Sequence, residues 1–183
     1  IFPSYGQKNI ANQNGAWIMY FGNHKLSEKL SLHTEYQFRR TDFVNNWQQS
    51  LARIGLDYHF DKNNAVTAGY GWIVSFPYGQ QPISVYTNEH RIWQQFVTKS
   101  SYGRLNFDHR YRLEQRFIEN AFLNSSNERE VDWFKFRQRA RYRFLISIPL
   151  NHKTMTDNTL FLGFYEEVFL GFGKGIGRNI LDQ

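Results

Sequence analysis

The residues of this sequence with most potential for chemistry are arginines that alternate with aromatic and apolar residues. In FDHRYRLEQRF, which runs from Phe107 to Phe117, one set of alternate residues is mostly aromatic or apolar and the other is charged. In WFKFRQRARYRFLISI, residues 133–148, arginine recurs at every second position four times. Successive side chains of a β-strand point to opposite faces, so each stretch has one charged and one apolar face. Guanidinium groups placed in this way can pair bidentately with carboxylates on neighbouring strands.

The charged faces predict one network of arginines and carboxylates. Most arginines lie inside predicted strands, whereas several lysines lie in or beside predicted turns. A solvated surface gains little from arginine over lysine, but a confined and partly dehydrated interior gains more. We therefore expect these residues to line the interior of a barrel. The predicted members are Glu35, Arg39, Arg53, Asp57, Glu89, Arg91, Asp108, Arg110, Arg112, Glu114, Arg116, Arg137, Arg139, Arg141, Arg143 and Glu167.

The apolar faces are unusually aromatic, since the chain has 17 Phe, 11 Tyr and 5 Trp. If the charged faces line an interior, the aromatic faces point outward, as they do in a transmembrane barrel that contacts lipid. The tryptophans lie near the ends of predicted strands, where barrels in membranes carry interfacial aromatic girdles. The predicted interfacial residues are Trp17, Trp47, Trp72, Trp93 and Trp133.

Motifs for metal, cofactor or nucleotide binding are weak. None of the six histidines forms a close metal-ligand pair, so we predict no metal and no cofactor. GFGKGIG (Gly171 to Gly177) lacks the Lys-Ser/Thr ending of a phosphate-binding loop and is interpreted as a flexible turn. Adjacent Glu166 and Glu167 would point to opposite faces of a strand, so they cannot share a substrate.

An enzyme and a nucleic-acid-binding protein remain weaker alternatives. Outer-membrane hydrolases and acyltransferases place a few polar residues near a barrel rim, and Ser31, His33 or His59 could take that place. FRQRARYRF could bind RNA through basic and aromatic side chains. Interleaved acids such as Asp108 and Glu114 argue against a phosphate groove, so we predict no nucleic-acid partner.

The bulk composition is compatible with long strands. The chain has 183 residues, a net charge of +6, no cysteine and four prolines, and its mean hydropathy is −0.61. No apolar run reaches the roughly 18–20 residues that a membrane helix needs. A barrel strand needs only every second residue to be apolar, so low mean hydropathy does not exclude a membrane.

Alternation along the chain predicts an all-β fold, an antiparallel up-and-down transmembrane β-barrel. Connections of unequal length, the longer ones being Phe76–Asn88 and Asn120–Val131, suggest tight turns at one end of the sheet and loops at the other. Residues 1–14 are interpreted as a signal-peptide remnant or a disordered tail, and residues 15–183 as the barrel domain. The predicted strands are Gly15–Asn23, Lys29–Arg39, Trp47–Phe60, Ala65–Phe76, Glu89–Tyr102, Arg104–Glu119, Asp132–Ile148 and Thr159–Phe172.

Several segments together resemble an uncharacterised family of outer-membrane β-barrels from Gram-negative bacteria. They are YFGNHKLSEKLSLHTEYQFR, TAGYGWIVSFPYG, NEHRIWQQF, FDHRYRLEQRF, RARYRFLISIPLN and NILDQ, and the resemblance covers about Trp17 to Gln183. It implies a secreted precursor and an outer-membrane location, but no activity and no functional residues. Family members continue beyond NILDQ with at least two more strands, which implies that the barrel domain here is incomplete and has ten or more strands in full.

The sequence therefore predicts an outer-membrane barrel of unknown biochemical activity, most simply a structural or accessory protein whose interior is filled by its charge network. Its expected partners are outer-membrane lipid and other outer-membrane proteins. A narrow pore that favours anions and an outer-membrane lipid-modifying enzyme are the alternatives within the same fold. A soluble lipocalin-like barrel would instead turn its apolar face inward and bind an apolar ligand.

Overall fold

Eight antiparallel β-strands form the whole of the regular structure that the computed structural model describes, which covers residues 14–42, 44–79 and 83–173. Each strand pairs with the next in the chain, so the sheet order is β1 to β8. The predicted all-β, up-and-down fold is thereby confirmed. The bounds are β1 Gly15–Lys25, β2 Leu30–Thr41, β3 Asn46–His59, β4 Asn64–Ser75, β5 Thr87–Tyr102, β6 Leu105–Leu123, β7 Arg129–Pro149 and β8 Phe161–Phe172. Within these described ranges, no helix is long and apolar enough to cross a membrane.

The sheet curls into a half-barrel with its charged face on the concave side. Arg53 Nη2 on β3 lies 3.8 Å from Glu114 Oε1 on β6, and the ring of His33 on β2 lies 5.5 Å from that of Trp93 on β5. Each pair is separated by three strand spacings of about 4.8 Å. Such contacts require the sheet to curve toward this face. Among the described residues, β1 and β8 do not pair with each other.

The polarity of the two faces is the reverse of that in a soluble sheet. On the concave face Glu114 is fully buried, and Arg53 and Arg91 are only 8% and 5% exposed. On the convex face Ile54 and Ile92 are 50% and 47% exposed, although both are apolar. Most of the buried side chains on the concave face are therefore polar or charged, and most side chains on the convex face are apolar.

Short polar turns close most of the hairpins. Between β3 and β4, Asp61 accepts hydrogen bonds from the side chain of Asn64 and from the backbone N–H groups of Asn63 and Asn64. These hydrogen bonds, that from the Asn64 side chain foremost, hold the pKa of Asp61 below its ordinary value. Between β5 and β6, Gly103 adopts a φ of 61°, a left-handed conformation that favours glycine.

The connections are not sorted by length, which differs from the expectation of tight turns at one end and loops at the other. The predicted loop Asn120–Val131 is largely strand, because β6 and β7 extend to a tight turn held by Asn124. The side chain of Asn124 accepts hydrogen bonds from the backbone N–H groups of Ser126 and Glu128 at 3.0 and 2.9 Å. The long connections, residues 76–86 and 150–160, lie at opposite ends of the sheet.

Candidate functional site: an arginine-rich interior

Glu114, on β6, is the centre of the interior network. Its carboxylate oxygens lie 2.7 Å from Arg139 Nη2 and 3.2 Å from Arg141 Nη1, both on β7. From the other side, Arg91 Nη1 on β5 lies at 3.4 Å and Arg53 Nη2 on β3 at 3.8 Å. One fully buried carboxylate is therefore shared by four guanidinium groups. The geometry fixes β3, β5, β6 and β7 relative to one another.

Two more carboxylates extend this network toward one end of the strands. Glu89 on β5 accepts hydrogen bonds from Arg91 Nε at 2.7 Å and from Arg116 Nε at 2.8 Å. In the register, Arg116 lies opposite Arg137 of β7. Both carboxylate oxygens of Glu35 on β2 accept hydrogen bonds from Arg53 Nη1, each at 3.0 Å. Arg91 and Arg53 therefore each connect Glu114 to a second carboxylate.

Toward the other end, the ion pairs become more accessible to solvent. Glu167 on β8 accepts hydrogen bonds from Arg110 Nη2 at 2.8 Å and from Arg141 Nε at 3.0 Å. Arg143 Nη2 lies 2.8 Å from Asp108 Oδ1. Since Arg141 contacts both Glu114 and Glu167, the network is continuous from β2 to β8.

Arg39 and Arg112 have neutral hydrogen-bond acceptors in place of carboxylates. Arg39 donates through Nε and Nη2 to the side-chain oxygen of Gln37, at 3.2 and 2.7 Å. Arg112 donates through the same two atoms to the side-chain oxygen of Gln95, at 3.0 and 2.7 Å. Each guanidinium also lies over an indole ring, Arg39 over Trp17 at 4.2 Å and Arg112 over Trp93 at 4.8 Å.

Asp57 contacts neutral groups and not the predicted arginines. It is buried, and its carboxylate accepts hydrogen bonds from Asn23 Nδ2 at 3.0 Å, Ser31 Oγ at 3.3 Å and Thr67 Oγ1 at 2.5 Å. Asp57 was predicted as a member of the network of arginines and carboxylates, and these hydrogen bonds connect it to neutral side chains. Its row of the register brings Ser31 and Thr67 beside it on β2 and β4, which satisfies the carboxylate locally.

Trp93 lies inside the half-barrel, so the prediction of an interfacial position for it was wrong. It is fully buried on the concave face. Trp93 lies in one row of the register with Gly69 on β4 and Gly55 on β3, and neither glycine has a side chain there. A Cβ on Gly55 would lie 2.8 Å from the indole, and one on Gly69 would lie 2.7 Å from it. The two glycines therefore make the space that the indole occupies as it extends toward His33. Two glycines on adjacent predicted strands were the sequence signal that the Trp93 prediction overlooked.

The remaining tryptophans are exposed or partly exposed near the ends of strands. Trp72 and Trp47 lie on β4 and β3, with 48% and 38% of their surface accessible. Trp17 lies on β1 and Trp133 on β7, and both are at least half exposed. Trp47 and Trp72 share the convex face, where an interfacial girdle stays a prediction. Trp17 pairs with Arg39, and Trp133 lies on the same side of β7 as Lys135 and Arg137, so both are on the concave side, away from the outward position expected for them.

Ser31 and His59 are brought together, although the geometry does not favour a nucleophile. Ser31 Oγ lies 2.9 Å from His59 Nε2 and 3.3 Å from the Asp57 carboxylate. The single proton of the Ser31 hydroxyl can be donated to the Asp57 carboxylate or to His59 Nε2, depending on the tautomer of the ring. Ser31 is only 3% exposed, so a substrate has little access to its hydroxyl. No group of three potential metal ligands occurs among the described residues. Of GFGKGIG, residues 174–177 lie outside that part.

The concave face also encloses a cavity of about 670 Å³ beside the network. Its wall contains six cationic side chains, which are Arg53, Lys99, Arg110, Arg112, Arg141 and Arg143. It contains three carboxylates, which are Glu35, Asp108 and Glu167. The cavity therefore carries an excess of positive charge.

The convex face carries a shallow apolar groove of about 760 Å³ that runs across β3 to β8. The small residues Ala68 and Ala140 lie in one row of paired residues across the strands. Aromatic residues such as Tyr58 and Tyr111 lie in the next row. Together with its exposed aromatic residues, this groove makes the convex face a continuous apolar surface.

Comparison with known proteins places the chain in a family. A search of curated proteins found no match, and a search of solved structures found none either. A protein-family model, described as "Protein of unknown function (DUF2490)", matches residues 14–183. The match includes all eight strands, and the chain therefore belongs to this family.

Proposed function

We propose that the chain forms the wall of an outer-membrane β-barrel in a Gram-negative bacterium, with a structural or accessory role and an interior filled by its own ion pairs. The observation that carries the proposal is the inverted polarity of the sheet. Glu114 is fully buried on the concave face, whereas Ile54 and Ile92 are about half exposed on the convex face. In water, an apolar surface of this extent would be a liability for aggregation. In a bilayer the same surface contacts lipid chains favourably.

This arrangement is the opposite of what a soluble lipocalin-like barrel requires. That alternative needs the aromatic face to surround an apolar ligand and the charged face to contact water. Here the aromatic face is convex, and burial falls on residues such as Glu35, Asp57 and Arg91. The geometry therefore supports a lipid-facing role for the apolar side chains.

The proposal requires that the edges of the half-barrel be paired inside a membrane. Unpaired backbone N–H and C=O groups cost several kcal/mol each in a hydrocarbon environment, roughly, so open sheet edges do not persist there. β1 and β8 leave such groups unpaired among the described residues. Further strands, from this chain or from a second copy, would complete the wall.

The first test is the location of the full-length precursor, measured together with its mobility in a gel. We expect the protein in the outer-membrane fraction of a density gradient, with a faster-running band when the sample is not boiled. A folded protein recovered from the soluble periplasmic fraction would refute the proposal, because the apolar convex face would then be in contact with water and not with lipid.

A narrow pore that favours anions is the second candidate, because the predicted interior residues include ten arginines against six carboxylates. Such an excess of positive charge would attract anions. The shared position of Glu114 argues for a filled interior, since four arginines converge on it and leave it no exposure.

Single-channel recording in planar bilayers separates the two candidates. An interior filled by ion pairs predicts no conductance above background for the unmodified protein. Anion-selective steps that disappear in Arg139→Ala and Arg141→Ala would establish the pore and exclude the filled interior. A matched variant, Lys62→Ala in the exposed turn between β3 and β4, should leave any conductance unchanged.

A further inference from the structure

Arg112 holds a buried positive charge that no carboxylate contacts directly. It is 6% exposed, and its hydrogen bonds go to the neutral amide of Gln95. Its electrostatic neighbours are three arginines, Arg110, Arg53 and Arg141, and one carboxylate, Glu114, which does not form an ion pair with it. A buried charge without a paired counter-ion is costly, and nearby like charges add to that cost. An anion bound beside Arg112 would relieve both.

The nearby carboxylates are already engaged with other cations. Glu114 is shared by four arginines, none of which is Arg112. Glu35 contacts Arg53 at 3.0 Å and His33 at 3.6 Å. Arg112 therefore faces the cavity of about 670 Å³ in a wall where six cations outnumber three carboxylates.

Several hydrogen-bond donors in the same wall lack acceptors. The Nε atoms of Arg53, Arg110 and Arg143 are screened from solvent and form no hydrogen bond. All three residues line the cavity. Buried donors are normally satisfied, so a cluster of unsatisfied ones beside a positively charged cavity suggests that an acceptor is missing.

One side of the cavity is apolar, which restricts the ligand further. Met19 and Phe21 on β1 and Tyr165 on β8 line it, and they are 48%, 59% and 71% exposed. These side chains point to the concave side, opposite the surface proposed to contact lipid, as the pairing of Phe21 with Glu35 shows. An inward apolar patch beside inward arginines fits a ligand with both a charged and an apolar part.

We infer that this cavity is a binding site for a small amphiphilic anion, whose phosphate or carboxylate group lies against Arg112 and whose short apolar chain lies along Met19, Phe21 and Tyr165. The site goes beyond the proposed membrane role and does not depend on it, because every group involved lies on the concave face. The shared chemistry is a monoester phosphate or a carboxylate, whether it comes from a lipid or from a soluble metabolite.

The test uses the purified, refolded full chain in a nonionic detergent and isothermal titration calorimetry at low chloride. The probes are hexyl phosphate, hexanoate, inorganic phosphate and hexyltrimethylammonium, with heats of mixing into empty micelles subtracted. We expect hexyl phosphate to bind at one site per chain, at least about tenfold tighter than inorganic phosphate because apolar area is buried. Hexyltrimethylammonium should not bind. If hexyl phosphate binds much more tightly than hexanoate, the natural ligand carries a phosphate group. If the two bind with equal affinity, the site accepts a carboxylate or a phosphate alike.

Arg39 offers a matched control for Arg112, because both donate through the same two atoms to a glutamine oxygen and both lie over an indole. Arg112→Gln should weaken hexyl phosphate binding at least about tenfold, as expected for loss of a charge-assisted hydrogen bond. Arg39→Gln should change it less than about threefold, since Arg39 does not line the cavity.

A second variant keeps the inference testable if Arg112→Gln does not refold. Phe21→Ser changes an exposed side chain, so folding should survive, and it should weaken hexyl phosphate without affecting inorganic phosphate. Equal losses in Arg39→Gln and Arg112→Gln would overturn the inference, as would equal binding of hexyl phosphate and hexyltrimethylammonium. A protein found in the soluble fraction would refute the membrane role and leave this binding result standing.

Discussion

Replacing Glu114 by glutamine removes the charge at the centre of the interior and leaves the shape of the side chain almost unchanged. Four guanidinium groups then share a neutral amide, whose oxygen can accept from some of them while its NH2 group is directed toward others. Arg139 Nη2, at 2.7 Å, and Arg141 Nη1, at 3.2 Å, are the donors nearest to the lost charge. Because Glu114 is fully buried, water cannot take its place without local opening of the sheet.

The cost of this change follows from the burial of the partners. Arg53 and Arg91 keep one carboxylate each, Glu35 and Glu89, at 3.0 and 2.7 Å. Arg141 keeps Glu167 at 2.8 Å. Removal of one partner from a buried ion pair costs about 3–5 kcal/mol, and the remaining carboxylates reduce the loss toward the lower end of that range. We therefore expect Glu114→Gln to lower the free energy of unfolding by about 3 kcal/mol, a large share of the roughly 5–15 kcal/mol that a folded protein has.

Urea titration of the refolded chain, followed by gel mobility without boiling and by tryptophan fluorescence, measures this loss. The slope of the free energy against urea must stay the same, so that the shift in midpoint reports stability alone. Glu28→Gln, in the exposed turn between β1 and β2, is the control and should change stability by less than about 0.5 kcal/mol. A loss below about 1 kcal/mol for Glu114→Gln would refute the shared-carboxylate network, since it would mean that the arginines do not depend on this charge.

Two further predictions concern the space under Trp93 and the outer face. Gly69→Ala would place a Cβ 2.7 Å from the indole and against the carbonyl oxygen of Ile54. We expect it to lower the free energy of unfolding by about 1–3 kcal/mol in urea titration. Gly163→Ala is the control: the atom nearest to its Cβ is at 3.6 Å, and its free energy of unfolding should lie within about 0.5 kcal/mol of that of the unmodified protein. Ala140→Arg on the convex face should cost about 2–4 kcal/mol in phospholipid bilayers if it faces the hydrocarbon, and a loss no larger than that of Ser126→Arg in an exposed turn would count against the lipid-facing surface.

The strands could be predicted from the sequence because alternation is a local property. Each of the eight predicted strands corresponds to one strand of the sheet, and the ends differ by at most four residues. The largest difference is at β6, which ends at Leu123 where Glu119 was expected. There the pairing of Ala121 with Val131 continues the hairpin past a bulge, and the sequence between them contains no glycine or proline to mark the end.

The contacts of single side chains were less predictable because they depend on the register between strands. Alternation assigns Asp57 to the charged face, but only the register shows that Ser31 and Thr67 are its neighbours. The same holds for Trp93, which stands in one row with Gly55 and Gly69. A shift of one residue in either pairing would have placed different side chains beside them. Strand-end position was therefore a poor guide for Trp93, because the glycines that receive it are far away in the sequence.

The direction of curvature could not follow from alternation, since a sheet with one apolar and one charged face can curl either way. Here the length of the charged side chains favours curvature toward the charged face. Arg53 and Glu114 meet across three strand spacings because a long guanidinium side chain and a glutamate extend toward each other past Gly71, which has no side chain in the way. A lysine would offer a single charge with no fork, and could not serve Glu35 and Glu114 together with fixed geometry. The preference for arginine inside strands is thus what makes the charged face the one that can close upon itself. Replacement of Arg53 by lysine would retain the charge and remove the fork, and the distance between β3 and β6 measured by paired spin labels on the convex face would then increase if this reasoning is correct.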